Sequence, residues 1–235
     1  MNQHSVILWD LENTLYPFSP AFGPAVRQAI VKTIADLQLD ITPAQAWDMA
    51  QPTFPLQTIQ KLERLTPYSR RELFLRFHDN LEANFIAPDP ALTHELTHCT
   101  AKHALITHSS RKFAARALDR LGVGHLFPEH VRITAEDMGG VGKNEAAKPI
   151  LIALQRLNAH LRDAVMVDDR DENLRHAKAL GLATILVGNR GEELDSLYCD
   201  AFFPTAGSFL RQYNAGQVFT STPQPSPAHL HVCKP

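Results

Sequence analysis

Four short runs of branched apolar residues punctuate the chain: Val6–Trp9, Ala104–Thr107, Ala164–Val167 and Ala183–Val187. Each is too short for a buried helix, and each reads as a strand covered on both faces. Apolar residues at helical spacing separate the last three runs. Phe113 to Leu121 precedes Gly122, Pro149 to Leu157 follows, and Asn173 to Leu180 stops at Gly181, a normal helix-ending position. Strands alternating with helices predict an α/β protein with a parallel sheet. Val131–Thr134 is a weaker fifth strand and Ala201–Phe203 an edge strand.

Between the first two runs lies a stretch of about ninety residues without a convincing strand. Val26, Ile30, Ile34 and Leu37 form one helical stripe. Thr42-Pro43-Ala44-Gln45 and Ser69-Arg70-Arg71-Glu72 are helix starts of the capping-box type, the second leading into Leu73, Phe74, Phe77 and Leu81, and Asp89-Pro90 opens one more helix. The expected organisation is a core of residues 1–15 and 99–215, a helical cap of 16–98, and a flexible tail, 216–235, rich in Pro, Ser and Thr. A helical unit emerging directly after the first strand would sit above the sheet edge, where it could act as a lid.

The chemistry begins where the first run ends, on Asp10, with a second carboxylate at Glu12. A carboxylate at the C-terminal end of a buried strand lies at the crevice where open α/β sheets bind ligands. Two of the other runs also end on polar residues, and a lysine stands at a helix start between them. Thr107 offers a hydroxyl, with Ser109 and Ser110 following to cap the next helix; Lys148 precedes Pro149 at a helix start; Asp168 and Asp169 form a pair suited to a hard cation. Other features have plainer readings. Gly139-Gly140-Val141-Gly142-Lys143-Asn144 lacks the spacing of a phosphate-binding loop and reads as a flexible loop before Lys148. His94 and His98 share a helix face without further ligands for zinc, Phe74 and Phe77 read as cap core with a nucleobase pocket as the alternative, and Asp171 reads as a helix-start charge.

Composition narrows the partners. With 235 residues and a formal net charge of -2, the chain shows no electrostatic footprint for nucleic acid polymer or membrane surface. Its three widely spaced cysteines suit a reducing compartment, no apolar stretch reaches the length of a membrane span, and no signal pattern opens the chain, so a cytoplasmic location is expected.

With an Asp, a Thr, a Lys and an Asp pair in that order, the chain resembles the haloacid dehalogenase-like (HAD) superfamily of phosphohydrolases. Asp10-Leu11-Glu12-Asn13-Thr14 matches its first motif, Leu105-Ile106-Thr107 its second, Lys148 its lysine, and Val167-Asp168-Asp169, with Asn173 downstream, its fourth. The chain is most similar to the capped branch, in particular to pyrimidine 5′-nucleotidase-type enzymes, through Asn13-Thr14-Leu15-Tyr16, Phe77-His78-Asp79 and Pro88-Asp89-Pro90. The resemblance implies a Rossmann-like core with an inserted helical cap. It also implies a magnesium-dependent phosphatase acting on a small phosphorylated metabolite, with a nucleoside monophosphate as one candidate. Asp10 would be the nucleophile and Glu12 the acid/base. Thr107, His108 and Lys148 would bind phosphate. Asp10, the Glu12 backbone carbonyl and Asp169 would hold Mg2+, with Asp168 beside it.

Three positions depart from the pattern: Glu12 stands where Asp is usual, His108 where Asn is common, and Arg170 where a small residue is usual. An added methylene moves a carboxylate by about 1 Å, enough to slow a reacting centre roughly a hundredfold. The alternative function is therefore a catalytically weak phospholigand-binding or regulatory protein on the same fold. A dehalogenase fits less well, since that branch does not rely on magnesium.

Overall fold

The computed structural model describes residues 5–50, 55–139, 143, 145–188, 196–217 and 219. Its centre is a six-stranded sheet in the order β3-β2-β1-β4-β5-β6. The strands are β1 (Val6–Trp9), β2 (Lys102–Ile106), β3 (Arg132–Ile133), β4 (Ala164–Asp168), β5 (Ala183–Val187) and β6 (Ala201–Phe203), and every neighbouring pair is parallel. The strand signals of the sequence are all present; the weakest shrinks to two residues because only Arg132 and Ile133 pair with β2.

Alternation along the strands divides the apolar side chains between two layers. Ile7, Trp9, Leu105, Val165, Val167 and Ile185 face one side; Val6, Leu8, Ala104, Ile106, Ala164 and Met166 face the other. Ten helices occupy the described residues between and after the strands: α1 (Phe22–Asp36), α2 (Pro43–Met49), α3 (Pro55–Leu65), α4 (Arg70–Asn80), α5 (Pro90–His98), α6 (Arg111–Arg120), α7 (Ala135–Met138), α8 (Lys148–Leu157), α9 (Asp171–Ala179) and α10 (Ala206–Asn214). The second layer is completed by Ile150, Ala153 and Leu154 of α8 with Leu174 and Ala177 of α9.

The first layer is larger because α6, α10 and the helices between β1 and β2 all contribute to it. Val26 and Ile30 of α1, Leu62 of α3 and Leu73 and Phe77 of α4 are buried in one apolar cluster with Phe113, Leu118 and Phe209. Capping boxes at Thr42 and Ser69 start α2 and α4 as the sequence indicates. Helices α3, α7 and α10 are additions to the sequence reading. In α10 the spacing of Ala206, Phe209, Leu210 and Tyr213 is helical, but Gly207 and Ser208 dilute it. Helix α5, expected as the end of the cap, lies against α10, where Asn214 Nδ2 donates to the Glu95 carbonyl at 3.0 Å.

The end of α4 is tied directly to α6. One guanidinium nitrogen of Arg116 donates to the carbonyls of His78, Asp79 and Leu81 at 3.0, 3.0 and 2.8 Å, satisfying acceptors that the helix terminus leaves open. Ser110 adds a backbone donation to His78 Nδ1 at 3.2 Å and a hydroxyl donation to Asp79 at 2.8 Å. Asp171, read from sequence as a helix-start charge, opens α9 as expected and in addition accepts from Ser196 and from the backbone N–H groups of Leu197 and Tyr198. No described helix is long and apolar enough to cross a membrane. The tail reading for 216–235 falls almost wholly outside the described residues, as do His229, His231 and Cys233.

Candidate active site

Strand β1 lies between β2 and β4; the chain adds β2 and β3 on one side of it and then crosses to add β4, β5 and β6 on the other, so the crevice opens at the C-terminal end of β1. There Asp10 follows β1, Thr107 follows β2, and Asp168 closes β4. The backbone N–H of Asp10 donates to the Val167 carbonyl at 2.9 Å, which fixes the nucleophile candidate level with the aspartate pair. Beyond Asp10 the chain turns sharply at Asn13, whose φ of 57° is a left-handed value that asparagine tolerates better than most residues. The turn aims Asn13 Nδ2 at Asp169, 2.8 Å away, and brings the Thr14 hydroxyl to 2.9 Å from Asp10 Oδ2.

The lysine at this centre is Lys143, which corrects the assignment of Lys148. Lys143 is only 3% exposed, and its ammonium donates to Asp10 and, at 2.9 Å, to Asp168. Lys148 is exposed at the first position of α8, with its ammonium beside Gly139. The buried cation thus falls within the segment read as a flexible loop before Lys148; Gly140 to Gly142 and Asn144 lie outside the described residues. His108 secures Lys143, accepting its backbone N–H on Nε2 at 3.0 Å.

Asp168 is fully buried and fully engaged, accepting from Lys143 on Oδ2 and from Asn173 Nδ2 and the Arg170 N–H on Oδ1, at 2.8 and 3.0 Å. Burial, reinforced by the Asp168 charge, holds the Asp10 carboxyl well above the usual carboxylate range even though Lys143 pulls it down. Burial also raises Asp169, against the hydrogen bond from Asn13. For Lys143 burial acts to lower its affinity for the proton, but Asp10 and Asp168 outweigh it and hold the ammonium above the ordinary lysine range. His108 is pushed down to about 4 by burial and then by Lys143, so it is neutral at pH 7 and suited to accepting the N–H.

Asp10, Asp168 and Asp169 each offer an oxygen within 4.8 Å of the others. Three carboxylates against one ammonium leave a negative excess, and the donors are all oxygen, a set that fits a hard divalent cation.

Glu12 turns toward β2. Its two carboxylate oxygens accept hydroxyl protons from Thr107 at 2.7 Å and Ser109 at 2.6 Å. The part played by Ser109 was not apparent in the sequence, where Ser109 and Ser110 read alike as helix caps. Only Ser110 caps α6, accepting from Phe113. A cleft of about 270 Å³ opens over these groups, lined on the inner side by Asp10, Glu12, Ser109, Lys143 and Asp169. Phe18, Phe74 and His78, from the segment between β1 and β2, form its outer wall. Phe77 is buried as expected of core, whereas Phe74 is half-buried and faces the cleft, stacked edge-on against His78 at 4.2 Å.

The family model for haloacid dehalogenase-like hydrolases matches residues 4–181. No match was found among curated proteins. Among solved structures, a HAD phosphatase from Thermococcus onnurineus superposes with a TM-score of 0.60 at 19% identity, covering 92% of this chain and 100% of the other. CbbY from Rhodobacter sphaeroides in complex with phosphate gives 0.62 at 18% identity, covering 88% and 96%. A dehalogenase with an intermediate complex gives 0.56 at 13%, covering 90% and 98%. At these identities the likeness is one of fold.

Proposed function

The chain belongs to the haloacid dehalogenase-like hydrolase family, and from that premise we propose that it is a magnesium-dependent phosphatase acting on a small phosphorylated metabolite. The observation that carries this reading is the buried cluster in which Lys143 bridges Asp10 and Asp168 beside Asp169. In the proposed reaction an Asp10 carboxylate oxygen attacks phosphorus. The bond from phosphorus to the leaving oxygen breaks, and Glu12 donates a proton to that oxygen. Water then attacks the phosphorus of the aspartyl-phosphate while Glu12 takes its proton, releasing phosphate and restoring Asp10. Lys143 offsets charge beside the nucleophile, and Thr107 with His108 stands at the phosphoryl side of the cleft. Mg2+ would be held by Asp10, Asp169 and the backbone carbonyl of Glu12, beside Asp168. When bound, it supplies positive charge where an anionic nucleophile meets an anionic phosphoryl group.

Hydrolysis of an aryl phosphate by the purified chain should therefore fall roughly a hundredfold or more on chelation, return with Mg2+, and fall comparably in Asp169→Ala. Zinc-supported turnover that survives loss of Asp169 would refute the assignment.

The helical segment between β1 and β2 serves as the lid that selects substrates. The support is that Phe18, Phe74 and His78 enclose a cleft otherwise built from core residues. A cleft near 270 Å³ suits a small ligand, and two aromatic rings suit a flat apolar portion such as a nucleoside monophosphate presents. Phe74→Ala should lower kcat/KM for such a substrate roughly tenfold relative to acetyl phosphate, whose leaving group is too small to reach the ring. Equal losses on both substrates would remove Phe74 from selection.

A second reading, a weakly active phospholigand-binding protein, is favoured by one observation: the Thr107 hydroxyl is engaged by Glu12. Calorimetric binding of phosphorylated metabolites without turnover would establish it.

A further inference from the structure

The two hydroxyls that meet Glu12 stand where a phosphoryl group would need donors. Thr107 is fully buried and Ser109 is 2% exposed, and both point their hydroxyl protons at one carboxylate at the inner wall of the cleft. The Ser109 backbone N–H donates to Thr107 Oγ1 at 3.0 Å, which sets the rotation of that hydroxyl. A hydroxyl has a single proton to donate. Thr107 therefore cannot give its proton to a phosphoryl oxygen while Glu12 Oε2 holds it, and the same is true of Ser109 and Oε1. Glu12 and a phosphoryl group are also both anionic, so they cannot share one pair of donors.

We propose that Thr107 and Ser109 together form a phosphoryl-oxygen cradle, that the Glu12 carboxylate fills it in the ligand-free protein, and that an arriving phosphoryl group displaces Glu12 toward the cleft. Building on the phosphatase reading above, this adds Ser109 as a binding residue and gives Glu12 a second position. Two carboxylate oxygens imitate two oxygens of the phosphoryl group, so the buried hydroxyls keep charged acceptors at every stage and never stand empty. Displacement also moves the Glu12 side chain out of the inner wall, toward the side from which a leaving group would enter.

Binding of inorganic phosphate to the full chain, followed by calorimetry at a fixed saturating Mg2+ concentration, tests this without reliance on turnover. Removing the occupant in Glu12→Ala should tighten phosphate binding roughly tenfold, the scale of one charge-assisted hydrogen bond no longer competed for. Ser109→Ala alone should change little, because it removes a ligand and loosens the occupant together. The same change added to Glu12→Ala should weaken binding several-fold, and that non-additivity is the signature of the cradle. Glu12→Gln, which keeps the volume and drops the charge, should tighten binding in the same direction by less, and it serves as the test if the alanine variant unfolds early on heating. Phosphate bound no more tightly without Glu12, or a Ser109→Ala change that has no effect once Glu12 is gone, would overturn the cradle while leaving the phosphatase reading standing. No phosphate binding by the wild type or any variant would overturn the phosphatase reading and the cradle with it.

Discussion

Exchanging Lys143 for methionine should lower stability by about 3–5 kcal/mol, because it leaves two buried carboxylates facing each other without the ammonium between them. Asp10 and Asp168 are 3% and 0% exposed, so water cannot take over the role of Lys143. Burial and the Asp168 charge already hold Asp10 above the usual carboxylate range. Removing the one group that pulls it down makes the ionised pair more costly still. Chemical denaturation with and without Mg2+ measures this, and added Mg2+ should recover part of the loss by supplying charge to the same oxygens. The matching change at Lys148, exposed at the start of α8, should leave the unfolding curve in place. If the two lysines responded alike, the central role of Lys143 would be wrong.

The second large effect is catalytic. Asp10→Asn should reduce phosphate-ester hydrolysis by roughly a thousandfold or more, since an amide oxygen is a poor nucleophile and no neighbouring group replaces it. Stability should move the other way or not at all. A carboxyl whose affinity for the proton rises on folding is destabilising in its ionised form at neutral pH, so a neutral amide relieves the repulsion with Asp168. The Thr14 hydroxyl, 2.9 Å from Oδ2, can still donate to the amide oxygen. Turnover that persists in the Asn variant would end the covalent mechanism, whereas a large drop in melting temperature would show Asp10 to be structural.

The strands were legible because burial on both faces demands uninterrupted apolar runs, and the polar residue ending three of the four runs marks the sheet edge. That logic located Asp10, Thr107 and the Asp168–Asp169 pair. It failed at the lysine because Lys143 comes from a loop, where no periodicity constrains side-chain direction. The nearby Lys148 has the proline and helix start that local rules recognise. Ser109 escaped for a related reason. Two adjacent serines before a helix are equivalent by capping rules, and only the position of Glu12 distinguishes the one that turns inward. Asp171 shows the same limit, since the Ser196 to Tyr198 segment it holds is far away in sequence. Helix α5 has strong local signals at Asp89 and Pro90, but its packing on α10 depends on a contact that no local pattern encodes.

Because the helices of the segment 16–98 interrupt the sheet between β1 and β2, the strand made first must wait for its partners. Trp9 meets His103 across 94 positions, Asp10 meets Lys143 across 133, and Asn13 meets Asp169 across 156. Closing loops of that length makes formation of the central strand pairs a slow event in refolding. During synthesis, β1 leaves the ribosome as an apolar segment with no sheet to join, and the helices α1–α4 are complete before β2 exists. Asp10, the proposed nucleophile, is thus translated long before Lys143 and Asp168, the residues that surround it, and refolding followed by far-ultraviolet signal should run well ahead of recovered affinity for the proposed Mg2+.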